Sequence, residues 1–152
     1  MTIVDQQTTG RLEHAGTYES YVNGDTVAIT RGRPVAINSS GQIGITVASF
    51  PLAQVLGVAM EDIAVGAVGT VIVGGFCDFL ITDGNLDSGD VVVAAVSDGT
   101  YIKGTGYDAT DLSADTTLGF TCFGRTLGVA DSAADVGVCR VGGFCAGVDT
   151  NA

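Results

Sequence analysis

Between residues 26 and 147, apolar positions fall in short runs rich in Val and Ile, each broken by Gly, Asp, Asn or Ser. Runs of this kind fit strands, where β-branched side chains pack well and successive residues face opposite sides of a sheet. The pattern predicts strands at 26–30, 34–38, 42–47, 53–59, 68–73 and 77–82, then at 90–96, 100–103, 119–123, 126–130, 136–142 and 144–148. "NSSGQ", "TDGNLDSGD" and "SDGT" read as the turns between them. Gly accepts positive φ there, and Asn or Asp side chains bond to their own backbone. No segment sustains an apolar 3.6-residue period; "PLAQVLGVAMEDI" and "YDATDLSAD" supply a turn or two at most. The expected class is all-β, a compact barrel or sandwich.

The beginning of the chain follows another pattern. Residues 1–22 are polar, poor in glycine turns, and carry isolated apolar pegs at Ile3, Val4, Leu12, Tyr18 and Tyr21. That spacing buries no continuous face, so the segment is expected as an extended N-terminal arm that orders against a partner. The organisation that follows is an arm over 1–22 and one β domain over 23–152.

The domain contains a repeat. Val73-Gly74-Gly75-Phe76-Cys77 recurs as Val141-Gly142-Gly143-Phe144-Cys145, and Leu56-Gly57-Val58-Ala59 ahead of the first copy recurs as Leu127-Gly128-Val129-Ala130 ahead of the second. Further upstream, "GRPVAINSSGQI" from Gly32 resembles "GDVVVAAVSDGTYI" from Gly89. The offsets are 57 (89 − 32), 71 (127 − 56) and 68 (141 − 73), so insertions fall between the words. Two long units are too few for a solenoid and suit a pseudo-twofold β domain. In that setting Gly74-Gly75 and Gly142-Gly143 mark strand bends, Cys77 and Cys145 occupy equivalent places, and Gly57 marks a close backbone approach.

Composition narrows the function. Apolar residues at 46% against 15% charged place the chain among those that fold. A net charge of −11 with six basic residues opposes contact with nucleic-acid phosphates. No apolar stretch reaches the ~18 residues of a membrane span, and "MTIVDQQTTG" lacks the regions of a secretion signal. Cys77, Cys122, Cys139 and Cys145 have no CxxC spacing and one histidine, His14, to accompany them, which argues against zinc. Set among apolar and small residues, they are expected as reduced core cysteines.

The order of these words, with Gly89-Asp90-Val91-Val92-Val93 and Asp98-Gly99, then Leu127-Gly128-Val129-Ala130 and Val136-Gly137-Val138, resembles the small capsid decoration (cement) proteins of tailed bacteriophages over residues 24 to 148. The resemblance implies a non-enzymatic protein made in the host cytoplasm that coats the outer surface of the expanded head. It implies a homo-oligomer, a trimer, clamping neighbouring subunits of the major capsid protein. On that reading Ile3, Val4, Leu12, Tyr18 and Tyr21 contact the capsid, with no nucleic-acid or membrane partner. The alternative is a glycan- or receptor-binding β module on the virion, disfavoured by the absence of Trp and a total of four Tyr.

Candidate chemistry does not change this picture. Asp83, Asn85 and Asp87 alternate like calcium-loop ligands, but Ser88 and Ala94 stand where that loop needs Gly and Glu. His14 lies in the arm with Glu13 beside it and no partner nucleophile. Glu61 and Asp62 are adjacent, so on a strand they face opposite ways. "VGAVGTVIVGG" leads into more strand rather than a helix N-terminus, which a phosphate cradle requires. The reading therefore assigns no catalytic residue, no metal and no cofactor. Arg31, Arg33, Arg125 and Arg140 are expected in structural or interfacial roles.

Overall fold

The computed structural model describes residues 16–50, 54–82, 89, 91–97, 99–107, 122–126 and 136–141. They form an all-β fold of strands β1 (Thr17–Val22), β2 (Pro34–Ile37), β3 (Ile43–Gly44), β4 (Val55–Ala59), β5 (Val68–Ile81), β6 (Val91–Ser97), β7 (Thr100–Tyr107), β8 (Cys122–Thr126) and β9 (Val136–Val141). Every pairing between these strands is antiparallel, in the order β3-β2-β4-β5-β9-β8-β6-β7, with β1 on the flank of β5.

That order reads the same from either end when β2, β3, β4 and β5 are matched with β6, β7, β8 and β9. The two like-placed hairpins are β2–β3 and β6–β7, and β5, which holds the first VGGFC, meets β9, which ends at the Val141 that opens the second, at the centre. Gly75, third residue of the first VGGFC, lies opposite Val141, first residue of the second. The internal pseudo-twofold organisation is thus a property of the topology. Among the described residues the path does not close into a barrel. Its ends touch at one isolated bridge, Thr46 with Thr100, where Val47 N–H also donates to the Gly99 carbonyl at 2.7 Å.

Strand β5 carries the architecture. Its first part, Val68 to Gly74, pairs with β1 and β4; its second part, Gly75 to Ile81, pairs with β9. The sequence predicts two strands, 68–73 and 77–82, but one strand runs through Gly74-Gly75. Gly75 at φ +100° allows the bend without a break. The bend also shifts the side-chain alternation. Ile72 and Cys77, five residues apart, would face opposite ways on a regular strand, yet both are fully buried in one cluster with Val58, Phe79, Leu80, Val92 and Val141.

A second cluster gathers Ile29, Val35, Ala36, Ile43, Ile45, Phe50, Ala59, Ile63 and Val71. Neighbours Val58 and Ala59 on β4, and Val71 and Ile72 on β5, fall into different clusters. Strand β4 and the first part of β5 are therefore covered on both faces, which is why they read as unbroken apolar runs rather than alternating ones. Gly57 sits where β4 meets β5, and a Cβ there would stand 2.0 Å from the Ile72 carbonyl oxygen. The close approach expected of the Leu-Gly-Val-Ala word is present in its first copy.

Other elements differ from the expectation in length. Residues 26–30 form a single bridge, Ile29 with Ile63, instead of a strand. Predicted strand 42–47 stops after Gly44 because the Ile45 and Thr46 N–H groups bind a carboxylate. β7 runs on to Tyr107, past the expected 103, and β8 straddles the expected 119–123 and 126–130. Residues 127–130 and the expected strand 144–148 lie outside the described residues. The "NSSGQ" turn is built as expected: Asn38 Oδ1 accepts from Ser40 N–H at 2.9 Å and Gln42 N–H at 3.0 Å, and Gly41 has φ +74°.

Candidate functional site: strand β1 and the loops beside it

The polar start of the chain leads directly into β1. All six of its residues pair with β5, from Thr17 opposite Gly74 to Val22 opposite Val68. The arm expected over 1–22 therefore gives way to sheet by Thr17. Two of the five expected pegs lie within that sheet. Tyr18 and Tyr21, three residues apart, face opposite sides. Tyr18 packs against the cluster of Ile72 and Cys77, Tyr21 against that of Ile63 and Val71. Ile3, Val4, Leu12 and His14 lie outside the described residues.

Among the described residues β1 pairs with β5 alone, so its outer edge presents backbone donors and acceptors suited to a further strand. Natural edges are commonly blunted by Lys or Pro, and "TYESYV" contains neither. Its single charge, Glu19, accepts a short hydrogen bond from the Tyr21 hydroxyl. That bond, with burial and the nearby negative charge, pushes the Tyr21 hydroxyl above the usual tyrosine range. The buried Tyr18 hydroxyl has no partner among the described residues.

At the far end of β1 the surface is apolar. Val22, Val27, Val65 and Val68 are 37–66% exposed, and Val22 faces Val68 directly across the β1–β5 ladder. The buried Asn23 ties the loops that carry Val27 and Val65. Its N–H donates to Ala67, its carbonyl accepts from Gly66, and its side-chain amide donates to the Val27 and Ile63 carbonyls at 3.0 and 3.1 Å. Its Oδ1 accepts from Asp25 N–H at 3.0 Å.

Asp25, 5% exposed, extends this polar cluster. Its carboxylate accepts at 2.7 Å from Ile45 N–H, Thr46 N–H, the Thr46 hydroxyl and Thr26 N–H. Burial pushes the Asp25 carboxyl upward, but the Thr46, Ile45 and Thr26 hydrogen bonds outweigh it and hold the group below the usual aspartate range. Thr46 is also the residue that bridges to Thr100, so this carboxylate fixes the point where the two ends of the sheet touch. Sequence reading missed both residues: "NGD" spells an ordinary solvated turn, and nothing local signals that the turn is covered.

The other candidates resolve into structural roles. Glu61 accepts from Thr70 N–H at 2.9 Å and Asp62 from Arg31 N–H at 2.7 Å, so each carboxylate caps a different backbone group. The Arg31 guanidinium donates to the Met60 carbonyl at 2.9 Å and lies 4.7 Å from the centre of the Phe79 ring. Arg33 is half-buried, and Arg125 lies opposite Arg140 in the β8–β9 register. Gly74, Gly75 and Cys77 lie on β5; Gly142, Gly143, Cys145 and the Asp83–Asp87 loop lie outside the described residues. Among the described residues no three metal-ligating side chains converge, and no helix is long and apolar enough to cross a membrane.

No protein-family model and no curated protein matches the sequence. Among solved structures the chain is similar to "head fiber gp8.5 N base in bacteriophage phi29", at 15% identity and a TM-score of 0.49, over 87% of this chain and 98% of that one. A likeness of this extent says nothing by itself of what the present chain binds.

Proposed function

We propose that this chain is a non-enzymatic structural protein of a tailed-phage virion, which decorates the outer surface of the head as a small oligomer, a trimer, and clamps neighbouring major capsid subunits. The reading is supported by the resemblance over residues 24 to 148 and by the all-β fold. The observation that carries it is the placement of β1. The polar segment 1–15 is followed at once by an edge strand whose two tyrosines anchor it on both faces of the sheet. A segment leaving such an edge reaches a neighbouring shell subunit by backbone pairing and by its pegs Ile3, Val4 and Leu12. Several arms on one oligomer then act together, so modest contacts per arm suffice.

Deleting residues 1–15 tests this, since the cut leaves β1 whole. The truncated protein is expected to keep its melting temperature and oligomeric state and to lose co-sedimentation with expanded heads. Undiminished head binding would sink the arm assignment. Binding to immobilised glycans by the full chain, with none to heads, would replace it with the receptor-module reading.

A further inference from the structure

We propose that Cys77 and Cys139 are a cross-strand thiol pair that closes to a disulfide on oxidation and locks β5 to β9 at the centre of the fold. The register places Cys139 directly opposite Cys77, with Phe76–Arg140 and Gly75–Val141 following in unbroken step. Residues directly opposite on antiparallel strands share a face and have Cα atoms roughly 4.5 or 5.5 Å apart. Disulfides span Cα separations of about 4.4–6.8 Å. Cys77 is a free thiol, fully buried, in the cluster that also contains Val141. Val141 is two positions from Cys139 on β9, and such positions share a face on a regular strand.

The sequence reading of reduced cysteines describes the protein as made; the paired register describes what oxidation does next. With glutathione disulfide as oxidant, one cysteine thiolate attacks a glutathione sulfur and releases the first glutathione thiolate. The second cysteine thiolate then attacks the protein sulfur of that mixed disulfide, forming the Cys77–Cys139 bond and releasing the second. Two electrons pass to glutathione disulfide, and the two thiol protons end on the two glutathione products. Because Cys77 is buried, exchange waits on local opening of β9 from β5 and is slow under native conditions. The bond would span 62 residues (139 − 77) and join the central strands of the two repeat units. This proposal does not rest on the capsid reading.

The full-length protein, purified under reducing conditions, is incubated with glutathione disulfide at room temperature and again just below its melting temperature. It is then denatured, alkylated and digested with trypsin. Each cysteine falls in its own tryptic peptide: Cys77 in 32–103 (Arg33 precedes Pro34 and resists cleavage), Cys122 in 104–125, Cys139 in 126–140 and Cys145 in 141–152. The expected result is a linked 32–103/126–140 species and the loss of two of four alkylatable thiols. The melting temperature should rise and return on adding dithiothreitol. Cys139→Ser should abolish the link and the rise, as should Cys77→Ala if that variant folds, whereas the Cys122→Ser/Cys145→Ser protein should keep both. Linkage of peptide 32–103 to either other cysteine peptide, or a fully alkylated Cys77 after oxidation near the melting temperature, would overturn the proposal.

Discussion

Replacing Asp25 tests how the sheet is held where its two ends touch. In Asp25→Ala, three backbone N–H groups and the Thr46 hydroxyl lose an acceptor that each reaches at 2.7 Å. Hydrogen bonds to a charged group contribute about 1.5–3 kcal/mol each, and bonds sharing one carboxylate do not add fully, so the expected loss is about 3–5 kcal/mol. For a chain of this size that corresponds to a fall in melting temperature of roughly 10 °C. Asp25→Asn keeps the shape but sets an NH₂ against existing donors, and should cost about half as much.

The pH dependence separates this carboxylate from mere side-chain volume. The folded protein holds Asp25 below its ordinary range, so the contribution is complete above the unfolded value of about 3.9 and disappears as pH falls through the folded value. Asp25→Asn carries no such proton. Thermal melts followed by circular dichroism should show a gap between wild type and Asp25→Asn that is full near neutrality and narrows below about pH 4. A gap that stays constant from neutral to acid pH would refute the reasoning, as would an Asn variant that melts with the wild type at neutral pH.

Two glycine comparisons test the bend and the close approach. Gly57→Ala puts a methyl 2.0 Å from the Ile72 carbonyl and should cost about 3 kcal/mol or more in urea unfolding, whereas Gly41→Ala, at φ +74° in open space, should cost about 1 kcal/mol. Equal losses would show that the β4–β5 contact relaxes freely. Gly75→Ala forces φ +100° on alanine and should cost about 1–3 kcal/mol, while Gly74→Ala, with Thr17 at an ordinary 3.7 Å, should cost less than about 1 kcal/mol. The reverse order would mean that Gly75 does not hold the bend.

The sequence by itself determined the class of fold and its internal symmetry. Short Val- and Ile-rich runs and Asn/Gly turns are local signals, and the recurring words point to two like units without reference to their surroundings. It also exposed the need for glycine at Gly57 and at Gly75, because a glycine inside a strand pattern marks a bend or a close approach. Tertiary structure decided what depends on distant partners. Thr17–Val22, polar enough to read as a free arm, became a strand because β5 offered it an edge and two hydrophobic clusters received its tyrosines. Asn23 and Asp25 became buried because the loops around Ile45 and Ile63 closed over a turn that looks solvated in isolation. The pairing of Cys77 with Cys139 in the β5–β9 ladder likewise belongs to register, which is set between strands 62 residues apart in the chain.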